Sequence, residues 1–143
     1  VPSNGVGATS EIMMGRIGDL SETTTVREFA LACKRYFHVD GLRLITHTPE
    51  APVKRVAILG GSGGQFYPAA LAKGADVYVT GDVSYHPGHD MIAAGLNVID
   101  PGHHIESICK PHLTAMFQQW AQENNWAITV QASQLNTDPF TFL

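Results

Sequence analysis

The stretch ADVYVTGDVSYHPGHDMIAAGLNVID, residues 75–100, decides the fold class. Its two apolar runs, ADVYVTG and LNVID, each have the length and composition of a buried strand. Between them, YHPGHDMIAAG has the length and the closing glycine of a helix that follows a loop. A strand, a helix and a second strand in this order typically join parallel strands of one sheet. We therefore predict an α/β domain.

The segments on either side continue the alternation of helices and strands. Upstream, TTTVREFALACKRYFHV (23–39) predicts an amphipathic helix with a threonine cap, and GLRLITHT (41–48) predicts a strand with one more polar face. VKRVAILGG (53–61) then predicts a buried strand, and FYPAALAKG (66–74) a short helix. Downstream we predict a long helix, which Pro111 should kink or split, and a last strand: about 105–124 and WAITVQAS (126–133). The pattern favours a largely parallel or mixed sheet flanked by helices.

Composition limits the class of protein. The 143 residues, 44% of them hydrophobic, suit a single globular domain. A net charge of -4 and an isoelectric point near 5.9 argue against binding to nucleic acid or to an anionic membrane. Cys33 and Cys109 lie in apolar helical patterns without a Cys-x-x-Cys pairing, which favours reduced core thiols and a cytoplasmic protein.

The beginning of the chain differs from the rest in composition. Residues 1–24 are rich in glycine, serine and threonine, so we predict a flexible head there and a folded lobe over residues 25–143. The chain starts without methionine. That start could be a processed terminus, the boundary of an expressed fragment, or the cut end of a longer protein.

Three polar turns follow the predicted strands directly. They are GGSGGQ after Leu59, TGDVSYHPGHD after Val79, and DPGHHIE after Ile99. Ligands of open α/β sheets bind beyond the carboxyl ends of the strands, so these turns should meet on one rim if the strands are neighbours. Most of the histidines belong to the last two turns or follow them closely: His86, His89, His103, His104 and His112.

The turn DPGHHIE is the clearest candidate for a metal site. Asp100 is a plausible helix N-cap and Pro101 a good first helical residue, which would put His103 and Glu106 on one face, one turn apart. An imidazole and a carboxylate at that spacing can bind one divalent ion or reach two neighbouring ions. The alternative is a capped helix start with solvated polar residues. His104 should point elsewhere on the helix.

The other two turns offer weaker candidates. His86 and Asp90 would share a helical face, or His86 alone would reach a pocket from a polar loop. In LGGSGGQF, the backbone amides of Gly61, Ser62 and Gly63 could cradle a phosphate, although four glycines suit a close-packed turn equally well. The turn lacks the motifs of P-loops and dinucleotide folds. No serine lies in a GxSxG elbow, which argues against a serine hydrolase.

Five motifs together resemble a known family. They are GRIGDL (15–20), VAILGGSGGQF (56–66), ADVYVTGDVSYHPGHDM (75–91), GLNVIDPGHHIES (95–107) and NTDPF (136–140). Their order and content resemble the second half of the NIF-three-like proteins, known also as GTP cyclohydrolase I type 2 homologues. The resemblance covers nearly the whole chain.

The resemblance implies a two-lobed α/β protein with two divalent ions (zinc, manganese or iron) between its lobes and a ring-shaped homo-hexamer. It assigns His103 and Glu106 as ligands from the second lobe, with His104 as the alternative histidine, and His86 as an acid/base group or substrate contact. The chain would then be the C-terminal half of a metal-dependent protein, lacking its N-terminal lobe and inactive alone. Hydrolysis of a nucleotide or another phosphate-containing substrate is the implied chemistry. A non-catalytic nucleotide-binding module and an oligomeric scaffold are the alternatives.

Overall fold

A computed structural model of the chain describes residues 2, 3 and 12–143. The strands are β1 Pro2–Ser3, β2 Ile12–Met13, β3 Arg16–Thr25, β4 Arg43–Ile45, β5 Pro52–Ser62, β6 Val77–Gly81 and β7 Asn97–Asp100. The α-helices are α1 Val26–Tyr36, α2 Tyr67–Ala72, α3 Tyr85–Ala93 and α4 Cys109–Glu123, and 3-10 helices span Gly64–Phe66 and His103–Ile108. Among the described residues, no helix combines the length and apolarity that crossing a membrane requires.

The main sheet is mixed and has five strands in the order β3-β5-β6-β7-β4. Its three central strands, β5, β6 and β7, are parallel, and the edge strands β3 and β4 pair with them in the antiparallel direction. Strands β1 and β2 form a separate antiparallel pair. The predicted α/β class with a mixed sheet flanked by helices is therefore confirmed.

Strand β6 is buried along its whole length because helices cover both faces of the sheet. Successive side chains of a strand point to opposite faces. Val77 and Val79 accordingly pack with Ala30 of α1, whereas Tyr78 packs with Met91 of α3. Helix α1 starts as predicted, since the Thr25 side chain accepts a hydrogen bond from the backbone N–H of Glu28 at 3.2 Å.

Part of the predicted head belongs to the main sheet. Strand β3 pairs with β5 in a register that sets Ile17 opposite Ala57. Polar, threonine-rich residues tolerate an edge position because the neighbouring strand supplies backbone partners and the outer side stays in water. The sheet therefore begins before the predicted boundary at residue 24, while residues 1 and 4–11 lie outside the described part.

The predicted last strand, WAITVQAS, does not form: residues 126–143 contain neither helix nor strand. A strand needs a neighbouring strand with free backbone groups, and this segment lies against α4 instead. Gln118 of that helix donates to the backbone oxygen of Val130 at 3.0 Å. The strand prediction was wrong because a pattern of alternating side chains does not show whether a neighbouring strand is available for backbone hydrogen bonds.

The predicted long helix is divided at Cys109, where the 3-10 helix ends and α4 begins. Pro111 lies in the first turn of α4, where the missing N–H would have no helical partner. Cys33 is buried, as predicted, but Cys109 is exposed, so the prediction of a core thiol was wrong there. Within α4, only Ala121 is buried, because most of the helix surface does not pack on the sheet.

Candidate metal site

The carboxyl ends of β5, β6 and β7 bring the three polar turns together, and Gly81 shows how closely. A Cβ atom at Gly81 would lie 2.9 Å from the backbone nitrogen of His103 and 3.0 Å from the backbone oxygen of Gly61. Real Cβ atoms essentially never lie less than 3.0 Å from another atom, as the first of these contacts would require. A glycine at the end of β6 is therefore required for the turns after β5 and β7 to meet. The expected common rim exists.

On this rim, His103 lies between two carboxylates. Its Nδ1 is 2.6 Å from Oδ2 of Asp82, and its Nε2 is 3.2 Å from Oε2 of Glu106. His103 and Glu106 belong to the same 3-10 helix, in which side chains three residues apart stack above one another. The side chains are 50% and 57% exposed, so both can be reached from solvent.

Charge at the rim favours a protonated imidazole. The hydrogen bond with Asp82 raises the pKa of His103 above its usual value, and the charges of Asp82 and Glu106 raise it further. Because a carboxylate only accepts, Nδ1–H donates to Asp82. The nitrogen that faces Glu106, Nε2, is therefore the one that is free to exchange its proton for a metal ion.

The glycine turn after β5 gives these side chains room. Gly61 has a φ of +66°, and a Cβ there would lie 2.8 Å from Oε1 of Glu106 and 3.3 Å from Nε2 of His103. The N–H of Gly63, predicted to contact phosphate, instead donates to Oγ1 of Thr80 at 3.0 Å. Ser62 is the last, exposed residue of β5. These contacts favour the close-packed turn over the phosphate cradle.

Asp100 has a different role from the predicted N-cap. It ends β7, and its carboxylate is buried and accepts from the backbone N–H groups of Val83 and Gly102, both at 2.9 Å. It also contacts the guanidinium of Arg43. The N-cap position of the 3-10 helix is Gly102, without a capping side chain. The N-cap prediction was wrong because β7 continues through Asp100 and draws its side chain inward.

His86 and Asp90 both lie on α3, the first of the two alternatives, and both are exposed. The ring of His86 lies 5.3 Å from that of Tyr85, while Asp90 lines a cavity of about 300 Å³ that Asp82 also borders. Among the described residues, no group of three or more His, Cys, Asp or Glu side chains is arranged to hold a metal ion. The structure thus does not add His86 or Asp90 to the pair of His103 and Glu106.

His104 is half-buried and, like His103, lines a cavity of about 700 Å³ that His38 and His112 also border. A further cavity, of about 590 Å³, adjoins the rim and is lined by both carboxylates of the rim and by the C-terminal tail: Asp82, His103, His104, Glu106, Ser107, Lys110, Thr137, Asp138, Pro139 and Phe140. Residue spacing did not predict the tail's position, because it has no regular structure; only the motif NTDPF marked it.

The sequence matches a known family over most of its length. The family model of Duf34/NIF3 (NGG1p interacting factor 3) matches residues 6–139. The chain is 45% identical over 130 residues to the GTP cyclohydrolase 1 type 2 homolog of Streptococcus pneumoniae, covering 89% of this chain and 49% of that protein. It is 42% identical over 130 residues to the protein of the same name from Bacillus subtilis, covering 91% and 35%.

Solved structures show the same fold. A Bacillus cereus protein related to NIF3 superposes with a TM-score of 0.89 at 40% identity, covering 94% of this chain and 37% of that one. A Staphylococcus aureus protein superposes with a TM-score of 0.85 at 33% identity, covering 90% and 37%. These matches confirm the resemblance drawn from the motifs. The chain spans about half, or less, of the length of these relatives.

Proposed function

Since the chain belongs to the Duf34/NIF3 family, we propose that it supplies His103 and Glu106 as ligands of a divalent metal centre that a longer protein completes. The observation that carries this proposal is the arrangement of His103 between Asp82 and Glu106. The nearby His104 is a poorer candidate, because the contacts with Asp82 and Glu106 in the described structure are made by His103.

The donor set fits a divalent ion such as zinc, manganese or iron. An imidazole nitrogen and a carboxylate oxygen suit all three. Neighbouring ligands of one such ion lie about 3.0–3.4 Å apart when each bond is about 2.1 Å, and Nε2 of His103 lies 3.2 Å from Oε2 of Glu106. Asp82 accepts the Nδ1 proton, which is the support that metal-binding histidines commonly receive from a carboxylate.

The proposed role of the whole protein is metal-dependent hydrolysis of a nucleotide or another phosphate-containing substrate. A dinuclear centre supplies an activated water and polarises the group that is attacked. In this chain, Asp82 accepts a hydrogen bond from His103 and would orient it, and Glu106 would supply a negatively charged ligand. His86, exposed on α3, is proposed to contact substrate. The names of the relatives support this class of chemistry.

The full-length protein is proposed to complete the site and to assemble. The missing N-terminal lobe supplies the remaining ligands, the complete protein forms a homo-hexamer in the cytoplasm, and this chain alone is inactive. A site with two protein ligands leaves its other positions to water and binds metal weakly. The alternative of a nucleotide-binding module centred on Gly61, Ser62 and Gly63 is less favoured, because Thr80 already accepts from the Gly63 amide.

Elemental analysis of the full-length protein tests the proposal. His103→Ala and Glu106→Gln should each lower the metal content, and His104→Ala should leave it unchanged. Glu106→Gln keeps the shape of the side chain, so folding measured by circular dichroism should stay intact. Full metal occupancy in both the His103 and Glu106 variants would contradict the assignment. Loss of metal in the His104 variant alone would show that His104, and not His103, is the ligand. Nucleotide binding that needs no metal would favour the binding module.

A further inference from the structure

We propose that Asp100 is a positioning residue that ties together the two turns carrying Asp82 and His103; its importance for metal binding rests on the proposed function. One buried carboxylate reaches both turns. Oδ2 of Asp100 accepts from the N–H of Val83, the residue after Asp82. Oδ1 accepts from the N–H of Gly102, the residue before His103.

The burial of Asp100 makes this contact strong. Its side chain is fully buried, and Arg43 on the neighbouring edge strand balances its charge. Hydrogen bonds from N–H groups to an ionised carboxylate are shorter and stronger than those between neutral groups. Both N–H distances are 2.9 Å, and the two bonds use different oxygens. The carboxylate therefore couples the turn after β6 to the turn after β7.

Backbone conformation shows why the turns need this support. Asp82 has a φ of +57°, in the left-handed region that residues other than glycine rarely adopt. The peptide that follows it carries the N–H of Val83, which Asp100 holds. On the other turn, Gly102 has a φ of +88°. Asp100 thus fixes the backbone on both sides of the hydrogen bond between Asp82 and His103.

Asparagine at position 100 would disturb this arrangement without changing the size of the side chain. An amide group has one acceptor oxygen and one donor nitrogen, so it can serve only one of the two N–H groups. The other N–H would face an NH₂ group and lose its partner. We expect the two turns to separate and the contact between Asp82 and His103 to loosen.

Asp76 provides a matched control at the opposite end of β6. Its Oδ2 accepts from the backbone N–H groups of Lys54 and Arg55, at 2.8 and 2.7 Å. Asp76→Asn is therefore the same loss of a carboxylate charge away from the rim; because both N–H groups share one oxygen, the asparagine oxygen can keep both bonds. Any effect of Asp100→Asn that Asp76→Asn also produces comes from the lost charge in general and not from the rim.

Three measurements on the full-length protein test the inference. Hydrogen exchange measures the exchange rates of the backbone amides of Val83 and Gly102. Nitrogen chemical shifts of ¹⁵N-labelled histidine, recorded without metal and well above the pKa of His103, show whether Nδ1 or Nε2 carries the proton. Competition with a zinc chelator gives the dissociation constant for Zn²⁺.

Wild type should keep the proton on Nδ1 of His103, where Asp82 accepts it. In Asp100→Asn, exchange at Val83 or Gly102 should accelerate about tenfold, the equivalent of one lost hydrogen bond. Part of the His103 population should move its proton to Nε2, and Zn²⁺ should bind about tenfold more weakly, as other losses of support behind a ligand do. Asp76→Asn should change none of these readings.

Asp100→Glu is a second variant that keeps the inference testable if Asp100→Asn does not fold. It keeps the charge opposite Arg43 but changes the reach of the carboxylate, so the same shift of the His103 proton is expected. An unchanged proton position in both Asp100 variants would overturn the inference, as would unchanged exchange at Val83 and Gly102. If His103→Ala leaves zinc binding intact, the proposed metal function fails, while the exchange and proton measurements still decide the role of Asp100.

Discussion

Replacing Gly61 with alanine should weaken metal binding more than it weakens the fold. The φ of +66° at Gly61 costs an alanine about 1 kcal/mol or slightly more. For a chain of 143 residues, that corresponds to a fall in melting temperature of about 3 °C. The added Cβ would also lie 2.8 Å from Oε1 of Glu106, so the carboxylate must shift.

Gly74→Ala separates the two effects. Gly74 has a φ of +72°, close to that of Gly61, but a Cβ there would meet no atom within 4 Å. Both variants should therefore lose similar stability, within about 0.5 kcal/mol, because the half-exposed Glu106 side chain can turn aside. Only Gly61→Ala should displace a proposed ligand, and its affinity for Zn²⁺ should fall about tenfold.

The assays are thermal unfolding of this 143-residue chain without metal, and chelator competition for Zn²⁺ in the full-length protein. Equal zinc affinities in the two variants would refute the reasoning that Gly61 makes room for a ligand. A melting temperature of Gly61→Ala far below that of Gly74→Ala would show that Glu106 cannot move aside. Wild-type stability in both variants would contradict the cost assigned to the left-handed backbone.

Other measurements test further parts of the structure. A thiol reagent should label the exposed Cys109 quickly and Cys33 slowly at neutral pH, because burial raises the pKa of Cys33 to about 11; equal rates would contradict the buried position. Since the pKa of His103 is raised in the folded state, its stabilising contribution should be complete below the unfolded value of about 6.5 and disappear as the pH rises through the folded value. Urea unfolding of metal-free wild type and His103→Ala should therefore differ most at acidic pH, and a constant difference would count against this. The exposed apolar side chains of α4, including Trp120, should make the isolated chain self-associate, and Trp120→Gln should reduce this in sedimentation; a purely monomeric wild type at high concentration would oppose it.

Local patterns in the sequence were sufficient for the centre of the fold. The unbroken apolar run of β6 identified a strand that is buried on both faces, and Thr25 marked the start of α1, because burial and capping depend on neighbouring residues in the chain. The spacing in the sequence also predicted that His103 and Glu106 lie side by side, since one helical turn separates them. These features depend on residues close in sequence, so periodicity reveals them.

Only the tertiary structure decided the contacts between distant segments. Nothing local distinguishes WAITVQAS from a strand, and its fate depended on whether another strand was available as a partner. Asp100 has the sequence context of an N-cap, yet its carboxylate is held by Val83 and Arg43, which the sheet brings close. The hydrogen bond between Asp82 and His103 likewise joins turns that follow two different strands. Such contacts arise from the order of strands in the sheet, which side-chain patterns within one segment do not encode.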